Sequence, residues 1–224
     1  RGLGDVYKRQ NAWFVGEPFK VFYDYKKEGI WQLGEEAAAA ANGQEPGDIK
    51  VQDVDGNGVI TTDDRIIYSQ RPDVTFGFNN TFNYKGFDLS VFLYARLGQW
   101  IAYDYNTTYR INALENGGNV DYWTPENPTN AFPRPNKSKS YTQVTYYSTL
   151  KYEDGSFFKI RDITLGYTFK PELLKHLNLS RLRVYATAKN FFTFSKIDNY
   201  DPEQGGSISF PMTKQLVFGL NVEF

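Results

Sequence analysis

Cysteine is missing altogether. Its absence removes disulfides, thiol catalysis and thiolate metal sites together, while leaving the cellular compartment open. The single histidine, His176, lies in a Lys175-His176-Leu177 stretch that reads as an ordinary turn, so no Ser/His/Asp arrangement is available beyond that one residue. Long apolar runs are also missing: nothing approaches the roughly 18 residues that a spanning helix requires, and mean hydropathy is −0.55. Charge of one sign is not in excess, with 25 basic residues against 26 acidic ones, which argues against nucleic acid as a partner. No phosphate-binding glycine loop appears. Adjacent acids do occur at Glu35-Glu36, Asp63-Asp64 and Glu153-Asp154, but neighbouring acids on loops are usually solvated, and an enzyme is not expected.

Aromatic residues, by contrast, reach 17%, with 17 tyrosines and 18 phenylalanines. The last residues alternate. Leu216, Phe218, Leu220, Val222 and Phe224 fall on one face of a strand, and Gly219, Asn221 and Glu223 on the other. Such alternation suits a wall between lipid and a watery lumen, where every second residue is free to be polar and aromatic girdles mark the interfaces. It also suits the edge strand of a soluble sandwich.

Alternating segments recur along the chain, joined by connections that are either very short or very long. Strands are expected at residues 19–31, 75–84, from Phe87 onward, 157–169, 181–192 and 213–224. Lys85-Gly86 makes a tight hairpin turn, and residues 171–177 read as one or two helical turns started by Pro171. The apolar phase of the 157–169 strand slips near Arg161-Asp162 and resumes at Ile163, as a β-bulge would cause. Residues 33–73, 98–152 and 193–211 read as long loops. Short turns on one side and long loops on the other are the rhythm of an outer-membrane barrel. On that reading Lys85-Gly86, residues 171–180 and Phe224 are periplasmic, and the three long loops lie outside the cell. The expected fold is all-β, an antiparallel transmembrane β-barrel of which about six to seven strands are visible, too few to close a wide barrel. Residues 1–10 have no pattern continuous with the rest, and Asp5-Val6-Tyr7-Lys8-Arg9-Gln10 resembles the translation of a transposon end used in sequencing libraries. They are set aside, leaving residues 11–224 as one barrel segment with its true beginning expected to lie upstream.

Several strings together resemble the SusC/RagA-type TonB-dependent transporters of Bacteroidetes, in their carboxy-terminal part. They are Gly16-Glu17-Pro18 with Gly29-Ile30-Trp31-Gln32; Pro46-Gly47-Asp48-Ile49-Lys50 leading into Asp53-Val54-Asp55-Gly56-Asn57-Gly58; Tyr84-Lys85-Gly86-Phe87-Asp88-Leu89-Ser90; Tyr122-Trp123-Thr124-Pro125-Glu126-Asn127-Pro128; Leu165-Gly166-Tyr167-Thr168; and Arg183-Val184-Tyr185 with Asn190-Phe191-Phe192-Thr193-Phe194. The resemblance implies a barrel of about 22 strands that imports glycans or other bulky nutrients across the outer membrane. It implies a SusD-like surface lipoprotein as cap, the TonB complex as energy source acting through an amino-terminal part, and a terminal assembly signal carried by Val222 and Phe224 and read by the outer-membrane assembly machinery. Val217 departs from the polar residue expected in that signal.

Two features of the loops carry chemistry of their own. Asp53, Asp55, Asn57, the Val59 carbonyl and Asp64 follow the spacing of a calcium loop, with glycine at the sixth position. Hard Ca²⁺ takes such oxygens, and its role there would be to pin a loop with little apolar core. The same residues would also form Asx turns ordering a loop without metal. Trp100, Tyr103, Tyr105, Tyr109 and Arg110, with Trp123, Asn106 and Asn112, could stack on and hydrogen-bond a sugar. A secreted calcium-dependent carbohydrate-binding sandwich is the alternative to the importer.

Overall fold

The computed structural model describes residues 12–19, 21–112 and 117–224. The expectation for residues 1–10 therefore lies outside the described residues. Strands dominate and helices are few and short. The chain divides into two compact units, each built from several stretches of sequence.

One unit comprises residues 72–99, 155–204 and 209–224. All strands of eight or more residues among the described residues lie in it: β5 (Val74–Tyr84), β6 (Phe87–Leu97), β9 (Phe157–Thr168), β10 (Arg181–Ser195) and β11 (Gln215–Glu223). They form one antiparallel sheet in the order β11-β10-β9-β6-β5. Lys85 and Gly86 have φ of 48° and 90°, the two positive values of a hairpin turn whose twist matches its strands. Thr168 N donates to the Gly86 carbonyl at 2.8 Å and Ser180 N to that of Glu223 at 2.8 Å, so the hairpin turn meets the end of β9 and the connection from β9 to β10 meets the end of β11, both at one end of the sheet. The expected helical turns are a helix over Pro171–Leu174 and a 3-10 turn over Lys175–Leu177. The slip in β9 is a bulge against β6: Phe92 pairs with Asp162 and Leu93 with Ile160, leaving Arg161 as the extra residue, while on the other side β10 places Asn190 and Phe191 opposite it.

The other unit comprises the described residues up to Arg71, with residues 100–154 and 205–208. Most of what reads as long loops is folded here. The segment at residues 19–31 is a correction to the sequence reading: it is not one wall strand but two short ones, β1 (Phe22–Tyr25) and β2 (Lys27–Ile30). They pair with β4 (Arg65–Tyr68) and β3 (Ile49–Val51) in separate two-stranded sheets. The cause is visible in the run Asp24 to Glu28, whose charges deny it a continuous apolar face, and at Lys26, whose carbonyl accepts from Gln52 N. A third small sheet joins β7 (Trp100–Ala102) to β8 (Tyr152–Asp154). Ile30, Ile49, Val51, Trp123 and Leu150 form a core, and Trp123 Nε1 donates to Gln32 Oε1 at 2.9 Å. Among the described residues the large sheet accordingly holds five strands, against the six or seven expected.

Candidate functional site

Pairing register turns the alternation of each long strand into rows that cross the sheet. Phe82, Leu89, Leu165, Ala186 and Phe218 are successive partners on one face. Phe78, Leu93, Ile160 and Phe192 make a second such row. These side chains are not a core. Phe82, Phe192, Leu165 and Phe218 are exposed, Phe218 to 73%. A sandwich would bury one such face against a second sheet, and an apolar surface this continuous is unusual in water.

The opposite face is organised by small residues. Its rows run Asn83, Asp88, Gly166, Tyr185, Gly219 and Thr81, Ser90, Thr164, Thr187, Val217. Arg183 reaches across Gly166 to Asp88, with Nε to Oδ1 at 2.9 Å and Nη2 to Oδ2 at 2.5 Å. A Cβ on Gly166 would stand 2.5 Å from both Arg183 Nη2 and Asp88 Oδ1. The glycine is therefore the seat of the ion pair. Gly219 serves likewise as the seat of the Tyr185 ring, over which the Arg183 guanidinium lies 4.8 Å from the centroid. Thr164 and Thr187 hydroxyls bond at 2.8 Å, and Lys189 faces Asp162 at 3.6 Å. Polar groups on this face are thus cross-linked between strands, as a surface lining an aqueous interior needs.

In the other unit, the structure brings Asp53, Asp55 and Asp64 together, with one carboxylate oxygen from each within 4.8 Å of the others. Every carboxylate is also a local acceptor. Asp53 takes Gly56 N at 2.8 Å and Gly58 N at 2.7 Å; Asp55 takes Asn57 N and Nδ2; Asn57 Oδ1 takes Val59 N. Asp64 is fully buried and accepts Val54 N at 2.8 Å and Thr61 N at 2.7 Å. Donation from Thr61 N holds its carboxyl below the usual range, against the opposing effect of burial. Thr61 and Asp64 also form a capping box on the 3-10 turn Thr62–Asp64. The T-x-x-D spacing is a signal for that box in the sequence. Carboxylates retain lone pairs beyond these bonds, so an all-oxygen donor set fits a hard cation.

The aromatic candidates fare differently from one another. Tyr103 and Tyr109 are 5% and 6% exposed. Tyr109 donates its hydroxyl to the Pro133 carbonyl, sets its ring edge-on to Phe132, and its hydroxyl pKa is raised by burial. Trp100 packs edge-on to Tyr68 at 4.8 Å, Trp123 is in the core, and Asn106 is buried and donates to Glu153 and to the Leu150 carbonyl. These side chains hold the unit together. Tyr105 is half-buried with its ring stacked on Tyr103, and Arg110 is exposed. Val222 and Phe224 both lie exposed at the end of the chain.

No protein-family profile matches the chain. A curated TonB-dependent receptor of Formosa agariphila, P3, is 31% identical over 93% of this chain and 22% of its own length. TonB-dependent receptor SusC of Bacteroides thetaiotaomicron is 31% identical over 77% of this chain and 17% of its own. Among solved structures, the RagAB peptide transporter superposes with a TM-score of 0.70 at 24% identity, over 95% of this chain and 24% of that one. The RagAB peptide importer in the open-open state gives 0.64 at 26% identity, over 95% of this chain. The chain spans about a fifth of the length of the curated relatives named here.

Proposed function

We propose, from the premise that this chain belongs with the SusC/RagA-type TonB-dependent receptors, that it is a carboxy-terminal section of the wall of an outer-membrane importer. The observation that carries the reading is the sheet whose apolar face stays exposed while its polar face is tied together by Asp88, Arg183 and Tyr185. Lipid covers the first face, and the water-filled barrel interior lies against the second. The short connections and Phe224 then stand in the periplasm, and the folded unit holding β1 to β4 outside the cell. Val222 and Phe224 serve as the signal for barrel assembly. The whole receptor takes up glycans or another bulky nutrient, paired with a SusD-like lipoprotein and driven by TonB. Nothing points to catalysis. A carbohydrate-binding sandwich is disfavoured because it would bury one face of this sheet.

Disrupting the complete gene in its host is expected to abolish accumulation of at least one class of fluorescent oligosaccharide or oligopeptide, with restoration by the intact gene. Undiminished uptake of both classes would sink the importer reading.

Calcium, on this reading, is a structural ligand of the external unit, held by Asp53, Asp55, Asn57, the Val59 carbonyl and Asp64. Trp100, Tyr105 and Arg110 remain the candidates for ligand contact. Chelating calcium from the purified full-length receptor is expected to speed proteolysis between Asp53 and Asp64 by about tenfold, in proportion to the local stability the ion adds. Re-addition of Ca²⁺ should reverse it. A cleavage rate indifferent to chelator leaves the Asx turns as the whole explanation of the loop.

A further inference from the structure

Lys159 is the one lysine among the described residues whose side chain is fully buried. It lies on the polar face of the sheet, in register with Tyr94 on β6 and Thr193 on β10. Its Nζ contacts Asp201 Oδ2 at 2.6 Å and Glu203 Oε2 at 2.8 Å. Glu203 also takes Arg161 Nη1 at 3.0 Å, while Thr193 Oγ1 bonds Asp201 at 3.4 Å. Both acids belong to the connection that leaves β10 at Ser195, and Pro202 between them is fully buried. Two cations and two carboxylates balance. A buried ammonium without partners is strongly unfavourable, so each side of this cluster requires the other.

We infer that the connection after β10 does not simply extend outward from the end of its strand. It folds back onto the polar face, and Lys159 is the positioning residue that holds it there. On the neighbouring rung, Phe158 and Phe194 on the opposite face remain exposed, so the covering is one-sided. Resting on the reading of the polar face as the barrel interior, the Pro202–Gln204 turn is an inward-held element that narrows the channel beside β9 and β10. A cavity of about 490 Å³, bordered by Asn190, Thr193, Asp198 and Lys214, gives the segment room to shift when the clamp is released. Arg161 is its second anchor, and its guanidinium also lies over the Tyr94 ring.

The test uses the full-length receptor. Lys159→Met is expected to raise the rate of tryptic cleavage after Lys196 by about tenfold, with Lys159→Arg returning most of the protection, as release of a locally stable segment predicts. The same variant should raise the KM for uptake at unchanged outer-membrane abundance. If Lys159→Met is not recovered from membranes, Glu203→Gln is read in its place and should give about a threefold increase in cleavage, since Asp201 still holds Lys159. Unchanged cleavage in the recovered variant overturns the positioning role. A spin label at Phe218→Cys separates this from the wall reading. If that label meets a water-soluble nickel chelate more readily than oxygen, the apolar face is not in lipid, and the inward direction falls with it. If it favours oxygen while cleavage is unchanged, only the clamp is wrong.

Discussion

Gly166→Leu in the full-length receptor is expected to remove most of it from the outer membrane. The substitution adds a side chain where a single Cβ already meets Arg183 and Asp88 at 2.5 Å. Backbone on both sides is fixed, because β9 is paired to β6 and β10 over this rung. The ion pair must therefore open. Overpacking alone typically costs about 1–3 kcal/mol, and parting a partly buried pair costs up to about 3 kcal/mol more. The side chains of Arg183 and Asp88 are only 18% and 23% exposed, so solvent compensates little. A total of several kcal/mol is comparable with the whole stability of many domains. Surface biotinylation measures the abundance, and urea titration in detergent measures the stability of what remains. Gly166→Ala should be the milder of the two, and milder still when Asp88 and Arg183 are both replaced by apolar residues. Wild-type abundance of Gly166→Leu would show that the pair is not seated on the glycine.

Asp64→Asn is expected to loosen the loop from Asp53 to Asp64 whether or not calcium is bound. The amide keeps one acceptor oxygen but turns its nitrogen toward a backbone N–H, either that of Val54 or that of Thr61. Leaving a buried donor unsatisfied costs about 1–3 kcal/mol, and more where a charge had been the partner. Hydrogen exchange at Val54 and Thr61 should accelerate by about tenfold to a hundredfold. The pH dependence has a definite sign. The folded carboxyl is held below its ordinary value, so its contribution is fully present above the unfolded pKa of about 3.9 and is lost as pH falls through the lower folded value. Protection in the wild type should stay level down to about pH 5 and weaken below about pH 4. Asp64→Asn should lack that acid-dependent part. An identical acid profile in both proteins would mean that another group controls the loop.

The long strands were legible because a two-residue period is written directly in their side chains. Phe76 to Phe82 and Leu89 to Leu93 show it, and so does the break at Arg161. The unit holding β1 to β4 was not legible in the same way. Its strands are three or four residues long, too short to display a period, and their partners are distant in sequence. Tyr103 and Tyr109 illustrate the limit on the candidate site. An aromatic residue suits a sugar and a small core equally, and only burial separates the two uses. The oxygen donors at Asp53, Asp55 and Asp64 could be placed from spacing, because a turn of fixed length brings them together locally. The clamp at Lys159 could not, since Asp201 lies 42 residues away in sequence and nothing in a lone lysine announces burial.

The extra residue in β9 has an evolutionary consequence. Ile160 and Ile163 share a face with a bulge between them, and if Arg161 were deleted the residues on either side would still alternate in phase. Lineages can therefore gain or lose that position without exchanging inside for outside. Its ion pair to Glu203 would go, but Lys159 would keep both of its acids. Deleting any one residue between Thr164 and Tyr167 is a different event, since every later side chain would change sides. Length variation among relatives should consequently gather at Arg161, in the middle of a long paired strand, where insertions are otherwise least expected.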